Sequence, residues 1–179
     1  MIFKPAAIAG AFLIEPEKLA DARGFFTRTF CRREFGARGL NLRIAQCSVS
    51  FNEKNGTLRG MHYQAAPHQE TRLVRCTRGA IFDVLLDLRR ASLTYGDWMA
   101  FDLTAENHRM LYIPEGVAHG FLTLVDGTEI SYQMSEFYEP ESARGVLWND
   151  PAFGIVWPRP PLLVSECDAS YPLVSRDAR

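Results

Sequence analysis

The fold is decided by residues 71–88, TRLVRCTRGAIFDVLLDL, in which two apolar runs flank the turn dipeptide Arg78-Gly79. Thr71–Thr77 and Ala80–Leu88 have the length and the β-branched and aromatic content that favour β-strands. Similar runs continue on both sides, with further turn signals at Asn55-Gly56 and Asp126-Gly127. The other predicted strands are Leu42–Phe51, Thr57–Gln64, Trp98–Leu103, Met110–Ile113, His119–Leu124 and Glu129–Phe137.

The spacing of these turn signals indicates the fold class. Turns recur about every 8–12 residues, as expected of a β-sandwich or barrel. The best helix pattern, Arg32–Arg38, is short and ends at Gly39. No strand is followed by G-x-G-x-x-G and a long helix, which disfavours a Rossmann fold. We therefore predict an all-β protein, a jelly-roll sandwich or closed double sheet with a few short helices.

Composition narrows the functional class. The chain has 179 residues, enough for one domain, and a formal net charge of -1, so it offers no basic field for nucleic acid. No run of 18 apolar residues is present, and we predict no membrane span. The four cysteines form no C-x-x-C pair, which indicates reduced thiols in a cytoplasmic protein rather than a zinc site.

Two histidines stand in patterns that can carry chemistry. Period-two alternation in Thr57–Gln64 predicts that His62 and Gln64 face opposite to Arg59. Residues 113–121, IPEGVAHGF, resemble the second cupin motif, which would place His119 at the mouth of a small barrel. The H-x-H of the first cupin motif is missing, and two histidines are too few for a usual metal site, so we predict no metal. On this evidence His62 is a base, a ligand or a core residue.

Seven motifs, taken together and in order, resemble the dTDP-4-dehydrorhamnose 3,5-epimerase family of nucleotide-sugar epimerases. They read DARGFF, LRGMHYQ, FDVLLDLR, IPEGVAHGF, YEPES, WNDP and SECD. The resemblance implies one cupin-like jelly-roll domain over residues 1–179, with a peripheral tail from about residue 171. It also implies a site without metal or cofactor, and a homodimer in which an N-terminal strand crosses to the partner.

The resemblance further implies a reaction and roles for individual residues. A 4-keto group acidifies the protons on C3 and C5 of a nucleotide-linked 4-keto-6-deoxyhexose, so epimerisation needs a base and an acid on opposite faces. By family match His62 is the base, Asp168 orients it and Tyr132 is the acid. The other matched positions belong to substrate binding. Arg23 and Arg59 match residues that contact the nucleotide-sugar, His119 one that lies beside the substrate, and Tyr138 an aromatic residue that packs on the nucleobase. Gln46 matches the glutamine of a family motif that also contains position 48, and Asp83 matches a buried aspartate that orients other residues.

Several positions depart from the family pattern. Arg72 replaces a lysine thought to stabilise the enolate; arginine keeps the charge but does not deprotonate. Arg28 replaces a glutamate and Ser48 an asparagine, and both stay candidate substrate-binding residues. Cys167 replaces a lysine, while Ala143 stands for another glutamate. These changes leave open a CDP- or GDP-linked substrate, or epimerisation at one carbon only. Two other classes compete with the epimerase: a non-catalytic cupin that binds sugar nucleotides, and a metal-dependent cupin oxygenase or isomerase.

Overall fold

A computed structural model describes residues 1–40 and 43–174 as a two-layered β-sandwich with two short helices. In chain order the elements are β1 (Ile2–Pro5), β2 (Phe12–Glu15), β3 (Leu19–Asp21), β4 (Gly24–Phe26), α1 (Arg32–Gly36), β5 (Gln46–Asn52), β6 (Thr57–Gln64), β7 (Arg72–Arg78), β8 (Ala80–Asp87), β9 (Trp98–Thr104), β10 (Met110–Ile113), β11 (Val117–Thr123), β12 (Thr128–Met134), β13 (Ala143–Gly145), β14 (Leu163–Val164) and α2 (Glu166–Ala169). The all-β prediction is confirmed. Neither helix is long and apolar enough to cross a membrane, within the residues described.

Two sheets face each other across the core. The first sheet has the strand order β1-β2-β10-β7-β12-β5, and the second has the order β13-β6-β11-β8-β9, with β14 pairing in parallel with β6. Strands β3 and β4 form a hairpin of their own. Sequence neighbours are often not sheet neighbours, as in a jelly roll.

The decisive stretch of residues 71–88 changes sheet at its turn. β7 lies in the first sheet and β8 in the second, joined at Gly79, whose φ of +78° is the left-handed conformation that favours glycine. The strands predicted from sequence appear close to their predicted bounds. Leu42, the predicted start of one of them, lies outside the described residues, and β5 begins at Gln46.

Three apolar clusters hold the sandwich. The cluster between the sheets contains Val74 and Ile130 from the first sheet, and Leu85 and Phe121 from the second. A second cluster packs α1, through Phe35, on the outer face of the first sheet. A third covers the outer face of the second sheet with the chain that follows β13. Because these side chains are nearly all fully buried, they hold both sheets rigidly around the space between them.

Candidate active site

A cavity of about 620 Å³ lies between the two sheets, within the size range of small-molecule sites. Its walls bring together most of the residues selected from sequence. Those lining it are Gln46, Ser48, Arg59, His62, Arg72, His119, Tyr132, Tyr138 and Asp168, and Asp83 lies directly behind His119.

A bulge in β6 places Arg59 and His62 on the same cavity wall. His119 pairs with His62 and Phe121 with Arg59, so β6 carries one residue more than β11 over this stretch. A bulge of this kind re-aims a side chain. Gly60 permits it, because a Cβ there would lie 2.5 Å from the Cα of Gly120. The simple alternation predicted for β6, with Arg59 opposite His62, is therefore wrong.

His62 is hydrogen-bonded to Asp168 and open to the cavity. Its Nε2 lies 2.6 Å from Oδ1 of Asp168, and 39% of its side chain is exposed, against 6% for the carboxylate. Ser165 caps α2 by accepting from the backbone N–H of Asp168 at 3.0 Å, which fixes where the carboxylate points. The Gly60 N–H donates to the other carboxylate oxygen at 3.3 Å.

The electrostatics of this pair decide which nitrogen can act. Burial opposes ionisation of Asp168, but its hydrogen bonds from His62 and the Gly60 N–H hold its pKa below the ordinary value. An ionised carboxylate only accepts hydrogen bonds, so the neutral imidazole donates from Nε2. Nδ1 then keeps a free lone pair, as a proton acceptor needs.

A second histidine–carboxylate pair lies beside the first. Nε2 of His119 lies 2.8 Å and 3.0 Å from the two oxygens of Asp83. Both side chains are almost completely buried, with 3% and 0% exposed. Burial raises the pKa of Asp83, against the opposing effect of His119. This pair therefore supports the cavity wall from behind.

Arg72 crosses from the first sheet to the second. Its Nε donates to Oε1 of Glu70 at 2.8 Å, its NH2 group also contacts that oxygen, and NH1 donates to the backbone carbonyl of His62 at 3.0 Å. The guanidinium thus lies beside the base with donors left for a ligand oxygen. Glu70, a buried carboxylate that fixes Arg72, was not selected from sequence; its place two residues before Arg72 in the same strand region was the available signal.

Tyr132 lies on the wall opposite His62, because β12 belongs to the first sheet and β6 to the second. Its ring meets the ring of His119 edge-on, with centroids 6.0 Å apart. Loss of solvent around the hydroxyl, with the charge of Asp83 adding to it, raises the pKa of Tyr132 well above its ordinary value. The phenol therefore stays protonated at neutral pH and can donate.

Two glutamines hold the segment that carries Tyr138. Gln64 donates to the carbonyl of Phe137 at 3.1 Å and accepts from the N–H of Glu139 at 2.7 Å. Gln46 accepts from the N–H of Tyr138 at 3.3 Å. The Tyr138 ring remains 61% exposed, on a fixed backbone at the cavity rim. Such a ring presents a flat face on which a base can stack.

Arg59 is the cationic end of the same cavity. Its Nε donates to Oδ1 of buried Asn52 at 2.8 Å, and no carboxylate in the described part of the chain lies within ion-pair distance. Arg144 also lines the cavity, and among the described residues its NH1 group donates only to the backbone carbonyls of Glu141 and Ala143, both at 2.8 Å. Two guanidiniums without an acidic partner favour an anionic ligand.

Arg23 and Arg28 do not lie in this cavity. Arg23, at the tip of the β3–β4 hairpin, pairs with Asp21, and 90% of its side chain is exposed. Arg28 pairs with Glu34 near α1. Neither residue lines the cavity of its own chain, so the structure brings together the other predicted residues without these two.

Tyr171 belongs to the site and was missed. The chain was expected to be peripheral from about residue 171, yet the Tyr171 ring lines the cavity and meets the His62 ring at 6.2 Å. Its position three residues after Asp168, across a helix end, was the signal. Beyond it, Val174 packs on the third apolar cluster, and residues 175–179 lie outside the described part. No group of three His, Cys, Asp or Glu side chains placed to hold a metal ion occurs among residues 1–40 and 43–174.

Comparison with known proteins places this site in a family. The family model described as dTDP-4-dehydrorhamnose 3,5-epimerase matches residues 5–176. The dTDP-4-dehydrorhamnose 3,5-epimerase of Sinorhizobium fredii is 43% identical over 173 residues, which are 96% of this chain and 89% of that protein.

Two solved structures extend the likeness to the fold. The dTDP-4-dehydrorhamnose 3,5-epimerase of Bacillus anthracis, solved with TDP and PPi bound, superposes with a TM-score of 0.93 at 38% identity, covering 97% of this chain and 99% of that one. A 3'-monoepimerase from Streptomyces bikiniensis, in complex with dTDP-quinovose, has a TM-score of 0.87 at 34% identity, covering 94% and 86%. The cupin-like jelly roll is thereby confirmed, and the chain belongs to the dTDP-4-dehydrorhamnose 3,5-epimerase family.

Proposed function

We propose that the chain is an isomerase that epimerises a nucleotide-linked 4-keto-6-deoxyhexose at C3, C5 or both. One observation carries the proposal: a carboxylate-held imidazole, His62 on Asp168, opens into a cavity whose opposite wall carries the protonated hydroxyl of Tyr132. A base and an acid on opposite walls are what inversion at carbon requires.

In the proposed first half-reaction, Nδ1 of His62 removes a proton from the carbon beside the ketone. The C–H electrons form an enolate, and the imidazole becomes an imidazolium stabilised by ionised Asp168. The guanidinium of Arg72, 3.0 Å from the carbonyl of His62, can donate to the enolate oxygen. Arg72 in place of the family lysine therefore keeps the charge beside the base.

In the second half-reaction, Tyr132 gives its phenolic proton to the same carbon from the opposite face. This restores the ketone with inverted configuration and leaves a tyrosinate. Water then returns a proton to Tyr132 and takes one from His62, so that no net proton is consumed. His119 and Asp83 position the Tyr132 ring through its edge contact, and neither exchanges a proton with the sugar.

The nucleotide moiety fits the other features of the cavity. Arg59 and Arg144 provide forked donors without acidic partners, suited to a diphosphate. Tyr138 offers an exposed ring for the nucleobase, and Gln46 and Ser48 line the adjoining wall. Solved relatives carry thymidine nucleotides or dTDP-sugars, which favours a dTDP-linked substrate here.

A second candidate is epimerisation at one carbon only. The changes at Ser48 and Cys167 alter the hydrogen-bonding groups in the cavity, and a structural neighbour is a monoepimerase. The same changes keep a CDP- or GDP-linked ketosugar as an alternative substrate. A non-catalytic binder is the least favoured alternative, because binding alone needs no oriented base.

Incubation with dTDP-, CDP- and GDP-linked 4-keto-6-deoxyhexoses in D₂O tests these candidates. Deuterium at both C3 and C5 supports the 3,5-epimerase, and deuterium at one carbon supports the monoepimerase. If the chain binds these nucleotide-sugars tightly but none of them takes up deuterium, the chain is a binding protein and the proposed epimerase activity is rejected.

We also propose a cytoplasmic homodimer. The β3–β4 hairpin pairs with neither main sheet and exposes Leu19 and Phe26 by 71% and 70%. A second copy would cover these side chains and could receive Arg23 in its cavity. β1 pairs with β2 of its own chain, so this hairpin, rather than the first strand, would make the exchange. A monomer by light scattering at micromolar concentration would contradict the dimer.

The cysteines support the cytoplasmic location. All four are unpaired, as suits a reducing compartment.

A further inference from the structure

Gly145 leaves a gap beside the proposed base. It lies in the edge strand β13, directly opposite His62 in β6, so that the histidine has no cross-strand side chain on this side. Cross-strand side-chain pairs are what normally hold a side chain in place on a sheet. On this side of β6, an imidazole that is 39% exposed would have no side chain to rest against, although His119 lies opposite it in β11 and Asp168 bonds its Nε2.

Tyr171 fills that gap. A methyl group at Gly145 would overlap ring atoms Cζ and Cε2 of Tyr171 and would lie 2.7 Å from its hydroxyl oxygen, so the ring occupies the space that a side chain at position 145 would take. The same ring meets the His62 ring edge-on, at 6.2 Å between centroids and 63° between planes. An aromatic ring that covers an edge glycine is a known way to stabilise a strand.

The C-terminal segment thus contacts His62 from two sides. Asp168 in α2 accepts from Nε2, and the ring of Tyr171, just past the helix, makes an edge-type contact with the imidazole. Within the described chain the Tyr171 hydroxyl has a single hydrogen bond, a weak one that its oxygen accepts from the Cys167 thiol at 3.9 Å. Burial and the neighbouring Cys167 raise the pKa of Tyr171 to about 12, so its phenol is neutral at working pH. The ring, more than the hydroxyl, carries the contact with His62.

From these contacts we infer that Tyr171 is a positioning residue, whose ring, seated in the space left by Gly145, holds the His62 imidazole in its catalytic orientation. The inference rests on the proposed function for the role of His62. It assigns no proton transfer to Tyr171. It requires that Gly145 and Tyr171 act as one unit, since a side chain at 145 would displace the ring.

The test is a double-mutant cycle with kcat and KM measured separately. Tyr171→Ala and Gly145→Ala should each lower kcat by about 10- to 100-fold with a smaller change in KM, because a misplaced base slows the chemical step. Gly145→Ala added to Tyr171→Ala should cause no further loss, since the displaced ring is already gone. Tyr171→Phe should restore the rate toward wild type. Gly36→Ala, where nothing lies within 4 Å, is the matched control and should behave as wild type.

Several results would overturn the inference. A Tyr171→Ala variant with unchanged kcat, or with KM alone raised, would make Tyr171 a wall of the substrate site. Additive losses in the double variant would separate Gly145 from Tyr171. A Tyr171→Phe variant as slow as Tyr171→Ala would transfer the role to the hydroxyl.

A second readout needs no substrate. The ring N–H that His62 donates to Asp168 should give a low-field proton resonance, assigned by its absence in His62→Gln. Faster exchange of this proton with water in Tyr171→Ala and Gly145→Ala, but not in Tyr171→Phe, supports the positioning role; equal exchange in all variants rejects it. If the wild type turns over none of the ketosugars, the proposed function fails, and this resonance still decides the role of Tyr171.

Discussion

The two histidine–carboxylate pairs use the same groups in opposite settings. His62 and His119 are direct partners across β6 and β11, and each lies within hydrogen-bond distance of an aspartate. The His62 side chain is 39% exposed in the cavity, whereas that of His119 is 3% exposed. Asp168 has a lowered pKa and Asp83 a raised one.

The difference shows that the pairing itself does not make a base. Asp168 is delivered by a capped helix end and receives two hydrogen bonds, so it is ionised and fixes the imidazole tautomer. Asp83 lies inside the sandwich, where burial disfavours its charge. Two properties together distinguish His62, the proposed base, from His119: exposure to the cavity and an ionised carboxylate partner. Substitutions can remove the exposed imidazole and its ionised partner one at a time.

The largest expected effect follows from removing the exposed imidazole. His62→Ala should lower kcat by about 10³- to 10⁴-fold, because the variant lacks the imidazole that is proposed to take the proton. Steady-state kinetics with a far-UV circular dichroism spectrum as the control for folding measures this. A loss smaller than tenfold would remove His62 from the role of base.

Changing Asp168, the carboxylate partner of His62 in the pair open to the cavity (the open pair), should have the next largest effect. Asp168→Asn keeps the shape but offers an amide that can donate to Nε2, which would move the ring proton to Nδ1 and cost about 10³-fold in kcat. Asp83→Asn, its matched control in the buried pair, should lose far less activity. Equal losses in the two variants would show that the pairs are not functionally distinct.

Removing the acid should separate the two half-reactions. Tyr132→Phe should reduce net epimerisation by about 10²-fold while leaving proton removal by His62 in place. In D₂O the variant should return substrate that carries deuterium with its original configuration, visible by mass spectrometry and NMR. Loss of exchange and inversion in equal measure would place Tyr132 in the first half-reaction.

Of the two histidine–carboxylate pairs, Arg72 contacts the His62–Asp168 pair, through the backbone carbonyl of His62. Arg72→Lys keeps the positive charge but loses the fork that joins Glu70 to that carbonyl, so we expect about a tenfold loss in kcat, well below the loss in Arg72→Met. Kinetics of the two variants side by side measure the contribution of geometry against charge. Arg72→Lys as inactive as Arg72→Met would show that charge alone is not enough.

The smallest effects concern the pH dependence of stability. The lowered pKa of Asp168 adds stability that is complete above the unfolded value of about 3.9 and is lost as pH falls through the folded value. The raised pKa of Asp83 has the opposite sign: its contribution falls as pH rises from about 3.9 through the folded value.

Thermal melts of Asp168→Asn and Asp83→Asn between acidic and neutral pH check these signs. The Tm deficit of Asp168→Asn against wild type should grow with pH, and that of Asp83→Asn should shrink. Parallel curves for the two variants would contradict the contrast between the carboxylates.

Much of the fold could be predicted, because apolar runs and turn dipeptides are local signals. Thr57–Gln64 and Met110–Ile113 were found with their observed bounds. The strands β1 to β4, β13 and β14 and the helix α2 were not, since elements of two to four residues show little periodicity and depend on packing. The bulge at Gly60 was also invisible, because its cause is the close approach of Gly120 in another strand.

The candidate site divides in the same way. His62, Asp168 and Tyr132 were selected by resemblance to the family, and the structure brings them around one cavity. Glu70 and Tyr171 were missed because their roles come from side-chain contacts that no motif shows: Glu70 fixes Arg72 two residues along the chain, and Tyr171 meets His62, which lies in β6. Arg23 matched a family motif and Arg28 departed from one, and the cavity of their own chain includes neither, so their binding roles stay predictions.

The distinction between the two pairs is tested most directly by hydrogen exchange at the substrate carbon. Wild type, His62→Gln and His119→Gln would be incubated with a nucleotide 4-keto-6-deoxyhexose in D₂O, and deuterium uptake followed by mass spectrometry. Uptake should vanish in His62→Gln and persist, within about tenfold of wild type, in His119→Gln, whose amide can still donate to Asp83. Uptake at the wild-type rate in His62→Gln would show that His62 is not the base. Loss of uptake in a folded His119→Gln alone would assign the base to His119 instead.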